Sequence, residues 1–319
     1  MEATLPLVSI VIITYNSARF VTETLESISR QTYCGPIELI VSDDCSQDNT
    51  LDICRDWLKL HGSMFVHADI IQTSHNSGIC ANHNNALKHV RGEWIKYIAG
   101  DDMLMPRCIE HFINATQSSP DGFFISGVDR FHEDTGIWYP HGEYLDTDSA
   151  DEQARNLAYH SGGGIVTGPS FFINADLLRQ LGGMDLRYPM LEDFPFAFRY
   201  AFSGYHISVI KEPLVRYRVH RDSVSQSDTK FYGMFYKAMY EARMKMAWRD
   251  HRYILWYHNY VMSRVISSPG KSRALYIRML KCTNVYAWAV KVQGLVSSSL
   301  PRELCRAVSW RGIRHVWHR

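Results

Sequence analysis

Apolar residues open the chain in an almost unbroken β-branched run, Val8-Ser9-Ile10-Val11-Ile12-Ile13, the pattern of a strand buried on both faces. The polar stretch Thr14-Tyr15-Asn16-Ser17 ends it. Phe20, Val21, Thr24, Leu25 and Ile28 then recur at helical spacing and predict a helix. Ile37-Glu38-Leu39-Ile40-Val41 predicts a second strand, which stops at Ser42-Asp43-Asp44-Cys45-Ser46. A helix starts near Asp48-Asn49-Thr50, with Asp48 or Asn49 able to cap it. A third strand over 68–72, a helix over 78–90 and a fourth strand at Glu93-Trp94-Ile95-Lys96-Tyr97-Ile98 follow, and Gly100-Asp101-Asp102 lies just beyond. This alternation predicts an α/β sheet with crossover helices. In such sheets ligands bind beyond the carboxyl ends of the strands. Three polar clusters fall there: Tyr15-Asn16, Asp43-Asp44 and Asp101-Asp102.

Past Thr116 the pattern loosens. Residues 123–127, 163–173 and 206–210 read as further strands, and 176–181 as a helix ending at Gly182-Gly183. From about Phe231 the chain reads as helical and rich in Tyr, Trp, Met and Arg, broken at Pro269-Gly270 and Pro301.

With 319 residues, 46% of them hydrophobic and 13% aromatic, the chain has material for a large core, and no segment has a disordered composition. Its net charge of +1 hides a division. Residues 230–319 hold 17 Lys and Arg against 3 Asp and Glu, and residues 1–229 hold 17 against 30. A basic final third on an acidic body points to an anionic partner: lipid headgroups, a lipid-linked phosphate substrate or nucleic acid. The N-terminus lacks a basic segment followed by an apolar one, so no signal peptide is expected, and the apolar run over 5–13 is too short for a bilayer. Seven cysteines without a CxxC pair argue for reduced thiols rather than a zinc site or disulfide framework, and so for a cytoplasmic setting.

Each polar cluster has a chemical reading and a plain one. Adjacent carboxylates at Asp101-Asp102 repel unless a cation or solvent intervenes, and Mg²⁺ or Mn²⁺ favours such oxygen sites; a solvated turn is the alternative. Asp43-Asp44 has carboxylates able to accept from a nucleobase N–H or ribose hydroxyls, or forms a polar loop. The amides at Asn76, Asn82, Asn84 and Asn85 either bind ligand or close turns. Glu192-Asp193, set in an apolar stretch, suits a general base with a raised pKa, or an acidic first turn of a helix. Arg216, Arg218, His220 and Arg221 gather cations suited to a diphosphate leaving group, or form a solvated strand end.

In order along residues 6–225, these segments resemble glycosyltransferase family 2. The run from Val8 to Asn16 is similar to that family's first strand and turn. Glu26-Ser27-Ile28-Ser29-Arg30-Gln31-Thr32 matches its first-helix pattern, and Val41-Ser42-Asp43-Asp44-Cys45-Ser46-Gln47-Asp48-Asn49-Thr50 its "VDDGSTDGT" segment. Asn76, Gly78 and Asn84 match "NxG…ARN", with His83 where Arg is usual. The stretch from Gly92 to Asp102 resembles "GEYIxFLDxDD", with Ala99 in place of the first Asp. Gly182-Gly183-Met184-Asp185 is similar to "GGFD", and the segment from Tyr217 to Ser225 resembles "YRxHxxSxS".

The resemblance implies a GT-A (Rossmann-like) fold: α/β, with a mixed, mostly parallel sheet flanked by helices and a C-terminal helical region. It divides the chain into a catalytic domain at 1–225, with a nucleotide-binding half to about 115 and an acceptor half from 116, and a basic helical region at 226–319. It implies an inverting, metal-dependent transfer of a sugar from a UDP- or dTDP-sugar to a hydroxyl acceptor. The acceptor expected is a lipid-linked saccharide in surface polysaccharide biosynthesis. Thr14, Tyr15, Asn16, Asp43, Asp44, Asn76, Gly78, Asn84, Asp101, Arg218 and His220 would bind the nucleotide sugar. Asp101, Asp102 and His220 would hold Mn²⁺ or Mg²⁺, with Ala99 leaving the two aspartates as the carboxylate ligands. Asp193 would be the base, with Glu192 second. A non-catalytic nucleotide-sugar binding protein and a sugar nucleotidyltransferase are the alternatives. The basic C-terminal region suits the inner face of a membrane, with packing onto the body as the plain reading. No nucleic-acid module is recognisable.

Overall fold

The computed structural model describes residues 4–132, 138–141, 145–160, 166–221, 223 and 229–267. The chain divides into two compact units, residues 1–246 and 247–319.

In the first unit, β1 (Val8–Thr14) lies between β2 (Ile37–Asp43) and β4 (Trp94–Ala99), parallel to both, and β3 (His67–Gln72) extends β2 in parallel. The run that opens the sequence is apolar at all but Ser9 because both of its faces are covered. Val8, Ile10 and Ile12 enter one core with Leu25, Leu39, Trp57 and Phe112, whereas Val11 enters the other with Tyr97, Phe171 and Phe196. Helices α1 (Val21–Ser29), α2 (Thr50–His61) and α3 (Ile79–Leu87) form the crossovers. The carboxyl ends of β1, β2 and β4 therefore lie along one edge.

Beyond β4 come the short β5 (Met103–Leu104), α4 (Cys108–Ser118), β6 (Phe123–His132), β7 (Trp138–His141) and α5 (Ala150–His160). Then follow β8 (Phe171–Asn174), α6 (Ala175–Gln180), α7 (Asp193–Phe202), β9 (Ser208–Val219) and α8 (Thr229–Arg249). The sheet runs β3-β2-β1-β4-β8-β6-β9-β5, with β7 on β6. Strand β8 is antiparallel to β4 and β6, and β9 is parallel to β6 and antiparallel to β5. This is the mixed α/β sheet expected from the sequence.

Two expectations need correction. The strand read over 163–173 is a strand only from Phe171; Gly168–Ser170 is a 3₁₀ turn, because Pro169 offers no ladder N–H, and 161–165 lie outside the described residues. The strand read at 206–210 continues to Val219, which puts Arg216 and Arg218 inside β9 rather than after it. Helices α4 and α5 add to the elements expected.

Most of α8 belongs to the first unit, where Ala238, Met239, Ala242 and Met246 are buried in the core. The second unit is described through α9 (Tyr253–Ser267), in which Trp256 stacks on Tyr260 and Val261 is buried. The aromatic segments at 286–290 and 310–319 lie outside the described residues. Among the described residues no helix is long and apolar enough to cross a membrane.

Candidate active site

The loops after β1 and β2 are laced into one surface. Thr14 Oγ1 donates to Asp43 Oδ1 (2.9 Å), and Asp43 Oδ2 accepts the Ser46 N–H (2.8 Å). Asn16, in the left-handed region at φ 51°, donates its N–H to Ser46 Oγ and accepts the Gln47 N–H, both at 2.8 Å. Asp48, just before the N-cap residue Asn49, accepts the Thr50 N–H at the start of α2 (3.0 Å) and the Ala18 N–H (3.0 Å). Asp44 Oδ1 accepts from Ser77 N (2.9 Å), Ser77 Oγ (2.7 Å) and Thr73 Oγ1 (2.9 Å), and its Oδ2 from Gly78 N (2.7 Å). Both aspartates are buried, so their carboxylates organise the wall of this surface rather than project from it. Tyr15, 47% exposed, Asn16 and Asn76 face outward.

Cys45 has φ 64° where the family motif has glycine. Left-handed backbone costs a non-glycine residue about 1–2 kcal/mol. Cys45→Gly is therefore expected to stabilise the protein by about 1 kcal/mol in urea unfolding. A variant no more stable than wild type would show that the loop bears no such strain.

Gly78 has φ 91°, and a Cβ there would lie 2.9 Å from the Pro189 carbonyl oxygen, so only glycine lets the loop before α7 close on the start of α3. Cys80 N donates to the same carbonyl (3.0 Å). Asn84 brackets Met184, accepting its N–H (2.7 Å) and donating to its carbonyl (2.9 Å), which pins the Gly182-Gly183 turn. It is committed to that turn rather than turned toward a ligand. His83 is buried 4.3 Å from the Tyr97 ring, and burial pushes its pKa down to about 3. The position where the family carries an arginine is thus neutral here.

The Asp101-Asp102 turn is tight, with Asp102 N donating to the Ala99 carbonyl (3.2 Å). Gly100 permits it: a Cβ there would lie 2.9 Å from both Ser17 Oγ and Thr14 Cγ2. Asp102 is 1% exposed; its Oδ1 accepts the Arg218 N–H (2.8 Å), and its Oδ2 is buried without a hydrogen-bond partner. Burial, and then the charge of Asp101, hold the Asp102 carboxyl well above the usual carboxylate range. Asp101 Oδ2 lies 3.0 Å from His220 Nε2, and the His220 ring packs 4.7 Å from Phe20. Among the described residues no three His, Cys, Asp or Glu side chains form a ready metal cage. Even so, adjacent carboxylates beside an imidazole, with one buried oxygen unpartnered, fit a hard divalent cation that takes its remaining ligands from phosphate and water.

Arg218 does not reach outward. Its guanidinium is 6% exposed, paired with Glu23 Oε2 (2.8 Å), bonded to the Asp101 carbonyl (2.9 Å) and set against Phe20 and Phe131. The expectation that it closes over a diphosphate meets a side chain already committed to protein groups.

Beneath the turn, the buried Lys96 donates to the carbonyls of Pro169 and Phe171 (the latter at 3.2 Å), and burial pushes its pKa down to about 8. It fixes the 168–170 turn, which walls the acidic pair. Glu192 stands at the N-cap position of α7, and Asp193 is the helix's first residue, accepting the Phe194 N–H (2.6 Å). Burial, and then the charge of Asp193, push Glu192 up to about 8. A Cβ on Gly168 would collide with Glu192 Oε1. Gly168→Ala must displace Glu192, and an expected loss of about 10-fold in turnover with an unchanged melting temperature would show that the pair's placement matters. Full activity in that variant would show that it does not.

Lys96, Gly168, Glu23 and Phe20 were not singled out from the sequence. Only Lys96 carries a visible signal, a lone cation inside an apolar strand.

A model of the family described as "Glycosyl transferase family 2" matches residues 9–182. The chain belongs to this family. It is 27% identical over 231 residues to putative glycosyltransferase EpsH of Bacillus subtilis, covering 69% of this chain and 63% of that relative. Over 129 residues it is 26% identical to the putative teichuronic acid biosynthesis glycosyltransferase TuaG of Bacillus subtilis, covering 40% of this chain and 49% of the relative. The chain thus spans less than two thirds of these relatives' lengths. Among solved structures, S. aureus TarS 1-349 in complex with UDP-GlcNAc superposes with a TM-score of 0.63 at 18% identity, covering 86% of this chain and 79% of that one. The fold is GT-A.

Proposed function

We propose that this protein is an inverting glycosyltransferase that moves a sugar from a UDP- or dTDP-sugar to a hydroxyl of a saccharide, one carried on a lipid during surface polysaccharide assembly. The observation that carries the reading is the buried Asp102 carboxylate with an unpartnered oxygen, at the strand edge shared by the Asp101–His220 pair. The TuaG likeness and the UDP-GlcNAc complex of TarS support the acceptor and donor classes.

Tyr15 and Asn16, on the surface that Asp43 and Asp44 stiffen, take the nucleoside. Asp101, Asp102 and His220 would hold Mn²⁺ or Mg²⁺, which when bound offsets the charge gathering on the departing diphosphate. Asp193 accepts the proton of the acceptor hydroxyl as its oxygen attacks the anomeric carbon, and a single displacement inverts that centre. The basic segment from 230 onward favours a peripheral position at the cytoplasmic face of an anionic membrane.

Thermal melting with a panel of nucleotide sugars tests the donor and the cation together. A ligand at 100 times its Kd adds about 2.7 kcal/mol of stability. The expected result is stabilisation by one nucleotide class with Mn²⁺, weakened but not abolished in EDTA. Equal stabilisation with and without EDTA would remove the cation from the account, and no stabilisation by any nucleotide sugar would overturn the donor assignment.

A further inference from the structure

We propose that Arg218 is a positioning residue for the cation-binding turn, acting through Asp101 and Asp102 without touching the diphosphate. The inference rests on the reading that these aspartates hold a divalent cation.

Strand β9 delivers three groups of this one residue to the turn and its surroundings. The backbone N–H donates to Asp102 Oδ1 (2.8 Å), Nε donates to the Asp101 carbonyl (2.9 Å), and Nη2 reaches Glu23 Oε2 on α1 (2.8 Å). The guanidinium is held against aromatic rings, with Cζ 4.7 Å from the Phe20 centroid and 4.8 Å from that of Phe131. The Phe20 ring in turn packs on His220, the residue paired with Asp101. Sheet pairing secures the turn's exit, because Met103 lies opposite Arg216 on β9.

The consequences follow from geometry. Holding Asp102 Oδ1 on a backbone N–H leaves Oδ2 as the oxygen without a partner. Holding the Asp101 carbonyl fixes the peptide between the two carboxylates. A planar fork is needed to meet a carbonyl and a carboxylate at once, so lysine cannot substitute. Outer partners of this kind typically change metal affinity by about 10–100-fold when removed. A side chain that instead gripped the diphosphate would change nucleotide affinity in the absence of metal.

Mn²⁺ binding to the nucleotide-free full chain, followed by the loss of the free-ion electron paramagnetic resonance signal, separates these roles. UDP binding is measured in parallel by calorimetry in EDTA. Arg218→Met is expected to weaken Mn²⁺ by about 10–100-fold, with Arg218→Lys failing to restore it, and to leave UDP affinity in EDTA unchanged. Glu23→Gln, at a side chain 54% exposed and so safe for folding, is expected to weaken Mn²⁺ in the same direction by less. Unchanged Mn²⁺ affinity in Glu23→Gln and in a folded Arg218→Met overturns the inference while leaving the cation site intact. So does a loss of UDP affinity in EDTA at unchanged Mn²⁺ affinity. A wild-type chain that binds no Mn²⁺ overturns the cation assignment itself, and the inference with it.

Discussion

Asp102→Asn is expected to lower turnover by about 10³-fold, a loss of about 4 kcal/mol of transition-state stabilisation, while unfolding within a few degrees of wild type in EDTA. The two halves of this result have one cause. The Asp102 carboxyl is 1% exposed and next to Asp101, so without a cation its surroundings disfavour the ionised form relative to the neutral acid. Asparagine is close in shape to that neutral acid and keeps an oxygen to accept the Arg218 N–H. What it cannot supply is a charged oxygen at the Oδ2 position, where the structure has no protein partner. Stability is therefore nearly spared and activity is not. Assays of turnover and melting on the same preparation check this. Activity within a few-fold of wild type would remove Asp102 from the chemistry, and a collapsed melting temperature would make it a structural residue.

Asp193→Asn is expected to cost about 10²–10⁴-fold in kcat, the range for a lost general base, with donor KM changed far less. Glu192→Gln is expected to keep most of the activity at pH 7. The asymmetry comes from the environment of the pair. Burial, and then the charge of Asp193, push Glu192 up to about 8, so near neutral pH Glu192 favours its protonated form and is a poor base. The same shift sets a stability trend. Its folded pKa lies above the ordinary 4.5, so the folded state holds the proton more tightly than the unfolded chain does. The stabilisation is complete below about 4.5 and is lost as pH rises through about 8. Replacing Glu192 with Gln removes that dependence, so the variant gains on wild type in melting temperature between these limits. Activity profiles and melting curves from pH 5 to about 9 read both effects. Full turnover in Asp193→Asn would transfer the base elsewhere.

The strand edge was legible because its residues obey local rules. A run apolar at nearly every position, as at 8–13 with only Ser9 polar, has few solutions other than a strand covered on both faces. The polar residues at the ends of β1, β2 and β4 mark where that edge must be. What each side chain does at the edge was not legible, because partners far apart in sequence decide it. Asp44 is spent on Ser77 and Gly78, Asn84 on Met184, and Arg218 on Glu23, nearly two hundred residues away. Motif order brings these residues to one place without saying which face a ligand and which face the protein. The second half was harder for a similar reason. Pro169 ends the regular ladder within an apolar segment, and β9 passes through exposed Lys211 and Glu212 before it reaches the site.

The most direct measurement is release of nucleoside diphosphate from a panel of UDP- and dTDP-sugars by the full chain, with Mn²⁺ and a lipid-linked saccharide acceptor. The predicted result is release from one sugar nucleotide that requires both acceptor and cation, with the new bond opposite in anomeric configuration to the donor. That release falls to background in Asp102→Asn and Asp193→Asn. Release that is indifferent to both substitutions, or a transferred sugar that retains the donor's configuration, would contradict the account.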